Sequence, residues 1–176
     1  MFNRGNTNKQ IDYYPNTLKW VNDFLKWNQC KVATNVICCH GGIIKNHKDG
    51  TERKFILKYK LDKLIDNTLP EVDMVIYYEA SQLFKDDEYW LYIEKTIGDQ
   101  QYAKLYTKYD QHNHFLSLRE KEILLLVAKG KSSKEIALEL NISIETVSQH
   151  RKNMIKRINA KDSSSLIQIC KTCEII

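Results

Sequence analysis

Hydrophobic positions change their spacing near residue 116. Beyond it they recur every three or four residues, as on one side of a helix; before it they alternate or cluster, as in strands. Ile123, Leu124, Leu126 and Val127 form the inward stripe of a predicted helix over 119–129, stopped by Gly130. A short helix over 134–140 follows, with Ile136, Ala137 and Leu140 inward and Ser132 or Ser133 as its cap. Glu135 or Glu139 is available to its first turns. Asn141-Ile142-Ser143 is a tight turn. Ser143 then caps a third helix over 144–158, with Glu145 at its positive end. Val147, Met154 and Ile158 fall on one stripe of that helix; Ser148, Gln149, Lys152 and Lys156 fall on the other side.

Upstream, Leu18, Val21, Phe24 and Leu25 predict an amphipathic helix over 17–28, after a polar tail over 1–15. Strands are expected over 31–39, 52–61, 74–80, 89–96 and 101–107. Asp49-Gly50 and Gly98-Asp99 mark turns, the second closing a late hairpin. The polar stretch 109–115 reads as an interdomain linker. The expected fold is therefore an α+β region over 16–108, an antiparallel sheet with a helix, followed by an all-α unit over 116–176. Trp20, Phe24, Trp27, Tyr77, Tyr78 and Trp90 are expected in the core rather than around a ligand.

Composition narrows the classes. The 176 residues, 43% hydrophobic and 28% charged, suffice for one domain or two small ones and are too apolar for a disordered chain. The longest apolar run, 123–128, is far shorter than the ~20 residues of a membrane span. The first ten residues lack a secretory core, so a cytoplasmic protein is expected. The net charge of +5 is uneven: residues 116–176 hold 11 Lys/Arg against 7 Asp/Glu, and residues 1–115 hold 16 against 15. Arg151, Lys152, Lys156, Arg157 and Lys161 follow one another with no acid between 146 and 161. A basic face on a small helical unit is the footprint of a polyanion binder.

The five cysteines, Cys30, Cys38, Cys39, Cys170 and Cys173, are odd in number and lack zinc-finger spacing, so no disulfide framework, metal or cofactor is expected. Cys38, Cys39 and His40 are adjacent on a strand and point to opposite faces, which does not make a catalytic pair. No catalytic residue is assigned, and the chain is not expected to be an enzyme. His40 and His47 read as turn or surface residues, and His150 as a structural one.

A short helix, a small residue at the crossing (Ala137), a three-residue turn and a longer polar helix make a helix-turn-helix. Residues 116–173 resemble the DNA-binding domain of LuxR-type bacterial transcriptional regulators. The resemblance is carried by Leu118, Arg119-Glu120, Glu122, Gly130, the Ser-Lys-Glu-Ile-Ala run at 133–137, Leu140, Ile142-Ser143, Thr146-Val147, His150 and Asn153. It implies four helices, with the third read into DNA and the fourth often used for dimerisation. It implies that Ser148, Gln149 and Lys152 face the bases. Lys134, Thr146, Arg151 and Lys156 would hold phosphates. The family usually has Lys where this chain has Ser148. Gln149 suits adenine N6 and N7, and Lys152 suits guanine O6 and N7. Arg119 and Glu120 are expected to cap and tie the first helix, and Glu135 to act within the unit.

The run Glu79-Ala-Ser-Gln-Leu-Phe-Lys-Asp-Asp-Glu, after an apolar strand, resembles the end of a PAS sensor domain, with the late hairpin as an addition. That likeness implies a PAS-like regulatory or dimerisation region over 16–108, its ligand unspecified. The strands do not alternate with helices as a phosphoacceptor receiver would. The combined expectation is a cytoplasmic homodimer binding double-stranded DNA through helix 144–158, regulating transcription, with RNA polymerase a further partner and no membrane. A sigma-factor-like promoter-recognition protein and a metal- or redox-responsive regulator using the cysteines are the alternatives.

Overall fold

A computed structural model describes residues 32–46, 50–65, 75–107, 111–112 and 114–176. The helix expected over 17–28, the tail over 1–15, and Cys30, His47, Trp20, Phe24 and Trp27 lie outside the described residues. Among the described residues, the strands lie between 32 and 112 and the helices between 118 and 172. Strands β1 (Val32–Asn46), β2 (Glu52–Ile65), β3 (Val75–Glu79), β4 (Trp90–Ile97), β5 (Gln100–Thr107) and β6 (Gln111–His112) form one six-stranded sheet in the order β3-β2-β1-β4-β5-β6. Every pairing is antiparallel. Helices α1 (Leu118–Ala128), α2 (Ser133–Leu140), α3 (Ile144–Ile158) and α4 (Ser163–Thr172) follow.

The β4–β5 hairpin is not an appendage. β4 pairs along β1, so the hairpin extends the sheet from its middle. The stretch expected as a linker carries β6 and ends in Phe115, which is only 1% exposed. Its ring meets Trp90 and Tyr92 edge-to-face, at centroid distances of 5.0 and 5.2 Å. Tyr77 and Tyr78, expected in the core, are 47% and 38% exposed. They stand on β3, the edge strand, where among the described residues one side of the backbone has no neighbouring strand to pack beside.

Opposed residues in a sheet share a face. Cys39 opposes Lys58 and Tyr92, Tyr92 opposes Leu105, and Trp90 opposes Gly41. This face meets the helices. Its buried residues Cys39, Ile56, Trp90, Tyr92 and Leu105 run without a break into Phe115, Ile123, Leu124, Ile136, Val147, Met154, Ile158, Leu166 and Ile169. Leu57, Leu91, Ile93 and Tyr106, on the other face, are buried as well. The alternation of Phe55 and Leu57 with Ile56 and Lys58 thus does not separate a wet face from a dry one. Lys58 is buried because its ammonium meets the Glu174 carboxylate, 2.5 Å away, just past α4.

The seam has its own hydrogen bonds. The Trp90 indole N–H donates to the carbonyl of Ile158, at the end of α3, over 3.0 Å. Asn159 follows in the left-handed conformation, and its side-chain amide donates to the carbonyls of Asp86 and Glu88 at 3.0 and 2.9 Å. Phe84 and Ala160 form an isolated antiparallel bridge, flanked by Lys85 N–H to Asn159 carbonyl and Lys161 N–H to Leu83 carbonyl. The register of β1 against β2 shifts at Gly41-Gly42. Only glycine fits there: a Cβ on Gly41 would sit 2.2 Å from the Trp90 ring, and one on Gly42 would sit 2.5 Å from the Glu88 carbonyl.

Candidate nucleic-acid interface

Each helix of the second half is started by its own sequence. Ser117 accepts from the amide of Glu120 while the Glu120 carboxylate accepts from the amide of Ser117, a reciprocal capping box on α1. Ser132 and Glu135 repeat it on α2. Ser143 caps α3 through the amide of Thr146, and Asp162 caps α4 through the amide of Ser165. The stops are equally local. Gly130 N–H reaches the Val127 carbonyl and Lys131 N–H the Leu126 carbonyl, a paired closure that ends α1. Asn141 and Asn159 adopt the left-handed conformation after α2 and α3, the role in which Asn is the usual substitute for glycine.

The caps hold their carboxyls ionised. Burial alone would raise Glu120, but the Arg157 guanidinium and the Ser117 amide outweigh it and hold the group below the usual carboxylate range. Arg157 lies 2.6 Å from Glu120 and also donates to the Phe115 carbonyl at 3.3 Å, joining α3 to the start of α1. The Ser132 hydroxyl and amide lower Glu135 in the same way. Arg119 donates to Glu122 and to the Leu140 carbonyl at the end of α2. These ties match the expected structural roles of Arg119, Glu120 and Glu135.

With Val147, Met154 and Ile158 fully buried behind it, α3 presents one side outward. Gln149, Lys152 and Lys156 are exposed on that side, and Ser148 is half-buried. The Gln149 amide donates to Asn153 Oδ1 at 2.7 Å, which fixes its orientation one turn from Lys152. Lys134 is exposed on α2. The Thr146 hydroxyl lies 3.1 Å from the Ser143 hydroxyl at the helix start. Arg151 is tied to its neighbours: its guanidinium donates to Ser133 Oγ on α2 at 3.0 Å and to Ser163 Oγ on α4 at 2.9 Å. It ties three helices together, with both terminal nitrogens already engaged. Of the residues expected at phosphates, it is the one given an internal partner on two other helices.

Two features escaped the sequence reading. Asn159 has a local signal, an Asn just past a helix, but its carbonyl partners at 86 and 88 lie more than 70 residues away. Trp90 has no local signal for its bond to Ile158. Three cysteines sit inside the seam. Cys39, Cys170 and Cys173 are buried, and burial pushes the Cys170 thiol up to about 12. Its hydrogen bond with Cys39, then burial, raises Cys173 well above the ordinary thiol range. Thiols so raised hold little thiolate, the form that reacts or binds metal. Among the described residues, no helix is long and apolar enough to cross a membrane.

The family model of bacterial regulatory proteins of the luxR family (GerE) matches residues 114–170. The regulatory protein SdiA of Escherichia coli strain K12 is 54% identical over 50 residues, 28% of this chain and 21% of that protein. The oxygen regulatory protein NreC of Staphylococcus carnosus is 43% identical over 53 residues, 30% of this chain and 24% of its own length. YgeK of E. coli, described as a response regulatory protein, is 42% identical over 65 residues, 37% of this chain and 44% of its own. The matches thus span less than half the length of each of these relatives. Residues 114–170 belong to the LuxR family of bacterial regulatory domains and form its helix-turn-helix.

Proposed function

We propose that this chain is a sequence-specific DNA-binding transcriptional regulator that reads duplex DNA with α3. The observation that carries the reading is the outward side of α3. From Thr146 to the helix end it has no acidic residue, and it exposes Gln149, Lys152 and Lys156 over a backing of fully buried Val147, Met154 and Ile158. A rigid helix with a polar, basic side fits the major groove. Ser148, Gln149 and Lys152 face base edges. Lys134, Thr146, Arg151 and Lys156 hold phosphates, and Arg151 also fixes α3 against α2 and α4. Family membership of 114–170 and the regulatory names of its relatives support the same reading.

The protein works in the cytoplasm as a homodimer, without enzymatic activity, and RNA polymerase is its partner at promoters. The region 16–108 is a PAS-like regulatory and dimerisation element, supported by its antiparallel sheet and by the 80–89 crossing between β3 and β4.

The test is selection of fragments from genomic DNA by the purified full-length protein, then Lys152→Ala on the selected site. A palindrome with half-sites about one helical turn apart is expected. Lys152→Ala should lower discrimination between that site and a scrambled duplex about tenfold with an unchanged circular dichroism spectrum. Unaltered preference in the variant removes Lys152 from the base-reading set. No salt-sensitive retention of any duplex overturns the whole reading.

A further inference from the structure

We propose that the sheet supplies a second contact to the DNA backbone, through Lys85, held beside α3. The proposal rests on the DNA-binding reading above. Lys85 lies in the crossing between β3 and β4, outside the family domain. Its amide donates to the Asn159 carbonyl at 3.0 Å. The Asn159 side chain holds the carbonyls of Asp86 and Glu88, and the Lys161 amide holds that of Leu83 at 2.8 Å. The crossing is thereby fastened at its main-chain atoms to Asn159 and Lys161, just past α3, and these hydrogen bonds set its position relative to the helix.

The Lys85 side chain is exposed and lines a groove of about 1010 Å³ together with Lys152, Asn153 and Lys156. None of these three ammonium groups is paired with a described carboxylate. Asp86 and Glu88 line the same groove, and the Asp86 carboxylate accepts from the Glu88 amide at 3.1 Å. Asp87 is neutralised by Lys54 at 2.9 Å. Lysine carries its charge on a four-carbon stem, so Lys85 extends beyond the short, locally bonded Asp86.

The occupant follows from helix and groove dimensions. A helix with its side chains is about 10–12 Å across and fills a major groove about 12 Å wide, whose walls are phosphates. A cation fixed at the flank of that helix meets a wall. Because the crossing is already ordered, Lys85 needs no loop ordering to do so.

The measurement is binding of full-length protein to its selected duplex and to a scrambled duplex between 50 and 200 mM salt. Lys85→Ala is expected to weaken both several-fold at low salt and to reduce the salt slope by about 0.9, because one phosphate contact is lost and carries no sequence information. Lys85→Glu should weaken binding further, and Asp86→Asn, which retains the acceptor for Glu88, should strengthen it. If the wild type binds selectively and Lys85→Ala leaves affinity and slope unchanged, this inference alone falls. If Lys85→Ala binds more tightly, the crossing obstructs DNA and the inference is likewise overturned. If the wild type shows no salt-sensitive binding, the DNA reading and this contact fall together.

Discussion

The helical unit and the seam beneath it are held in opposite ways. Each helix of the unit begins on a side chain three residues from the amide it satisfies and ends on a residue just past its last turn. The seam is held by partners far apart in the chain: Trp90 with Ile158, Asn159 with Asp86 and Glu88, and Lys58 with Glu174. Short-range capping makes the helix-turn-helix a self-sufficient local pattern. Long-range bonding makes its placement a property of the whole chain. Position and recognition are thus encoded in different residues.

Trp90→Ala should break the contrast most. It removes a fully buried ring, its edge contact with Phe115 and its bond to Ile158, at a cost of about 3–5 kcal/mol. Chemical denaturation followed by tryptophan-independent probes should then show the sheet and the helices melting at different midpoints. A single shared transition at the wild-type midpoint would refute a common core. Glu120→Gln should cost about 2 kcal/mol at neutral pH, because a carboxylate bonded to Arg157 is lost. The sign of its pH dependence is fixed by the lowered carboxyl: its stabilising effect is complete above the unfolded value near 4.3 and is lost as pH falls through the folded one. The variant should therefore show a flatter acid limb than the wild type in urea melts between pH 3 and 6. Ser143→Ala should be the mildest, about 1 kcal/mol from a lost cap, with amide exchange rising at Val147 and its neighbours while the sheet keeps its protection. Equal loosening across the sheet would deny α3 its local origin.

These differences also explain what could be read beforehand. The bounds of α3, its cap at Ser143, a cap of α2 at Ser132 or Ser133, the stop at Gly130 and the inward set Ile136, Val147, Met154 and Ile158 all rest on neighbours within a few residues. All were legible. So were β1 to β5 as strands, helped by the turn signals at Gly50 and Gly98, whereas β6 lay in the stretch read as a linker. The order of strands was not, since β1 pairs with β4 across half the sheet region. Phe115 looked like part of a linker because its polar neighbours hide the aromatic cage formed by Trp90 and Tyr92. The edge tyrosines were misleading for a related reason: burial depends on which element arrives overhead. On the candidate interface, exposure of Gln149, Lys152 and Lys156 follows from helix periodicity. The engagement of Arg151 with Ser133 and Ser163 depends on how three helices meet.

The indole capping the end of α3 has a consequence for anyone moving this module into another protein. Cut away at residue 114, the four helices keep every cap they own. They also expose Phe115, the last carbonyl of α3 and the Cys173 corner as an unfilled socket. A chimera therefore needs a host that offers a bulky aromatic donor at that spot, with a backbone as bare as Gly41-Gly42 behind it. Without such a host, the transplanted reader arrives intact but unaimed.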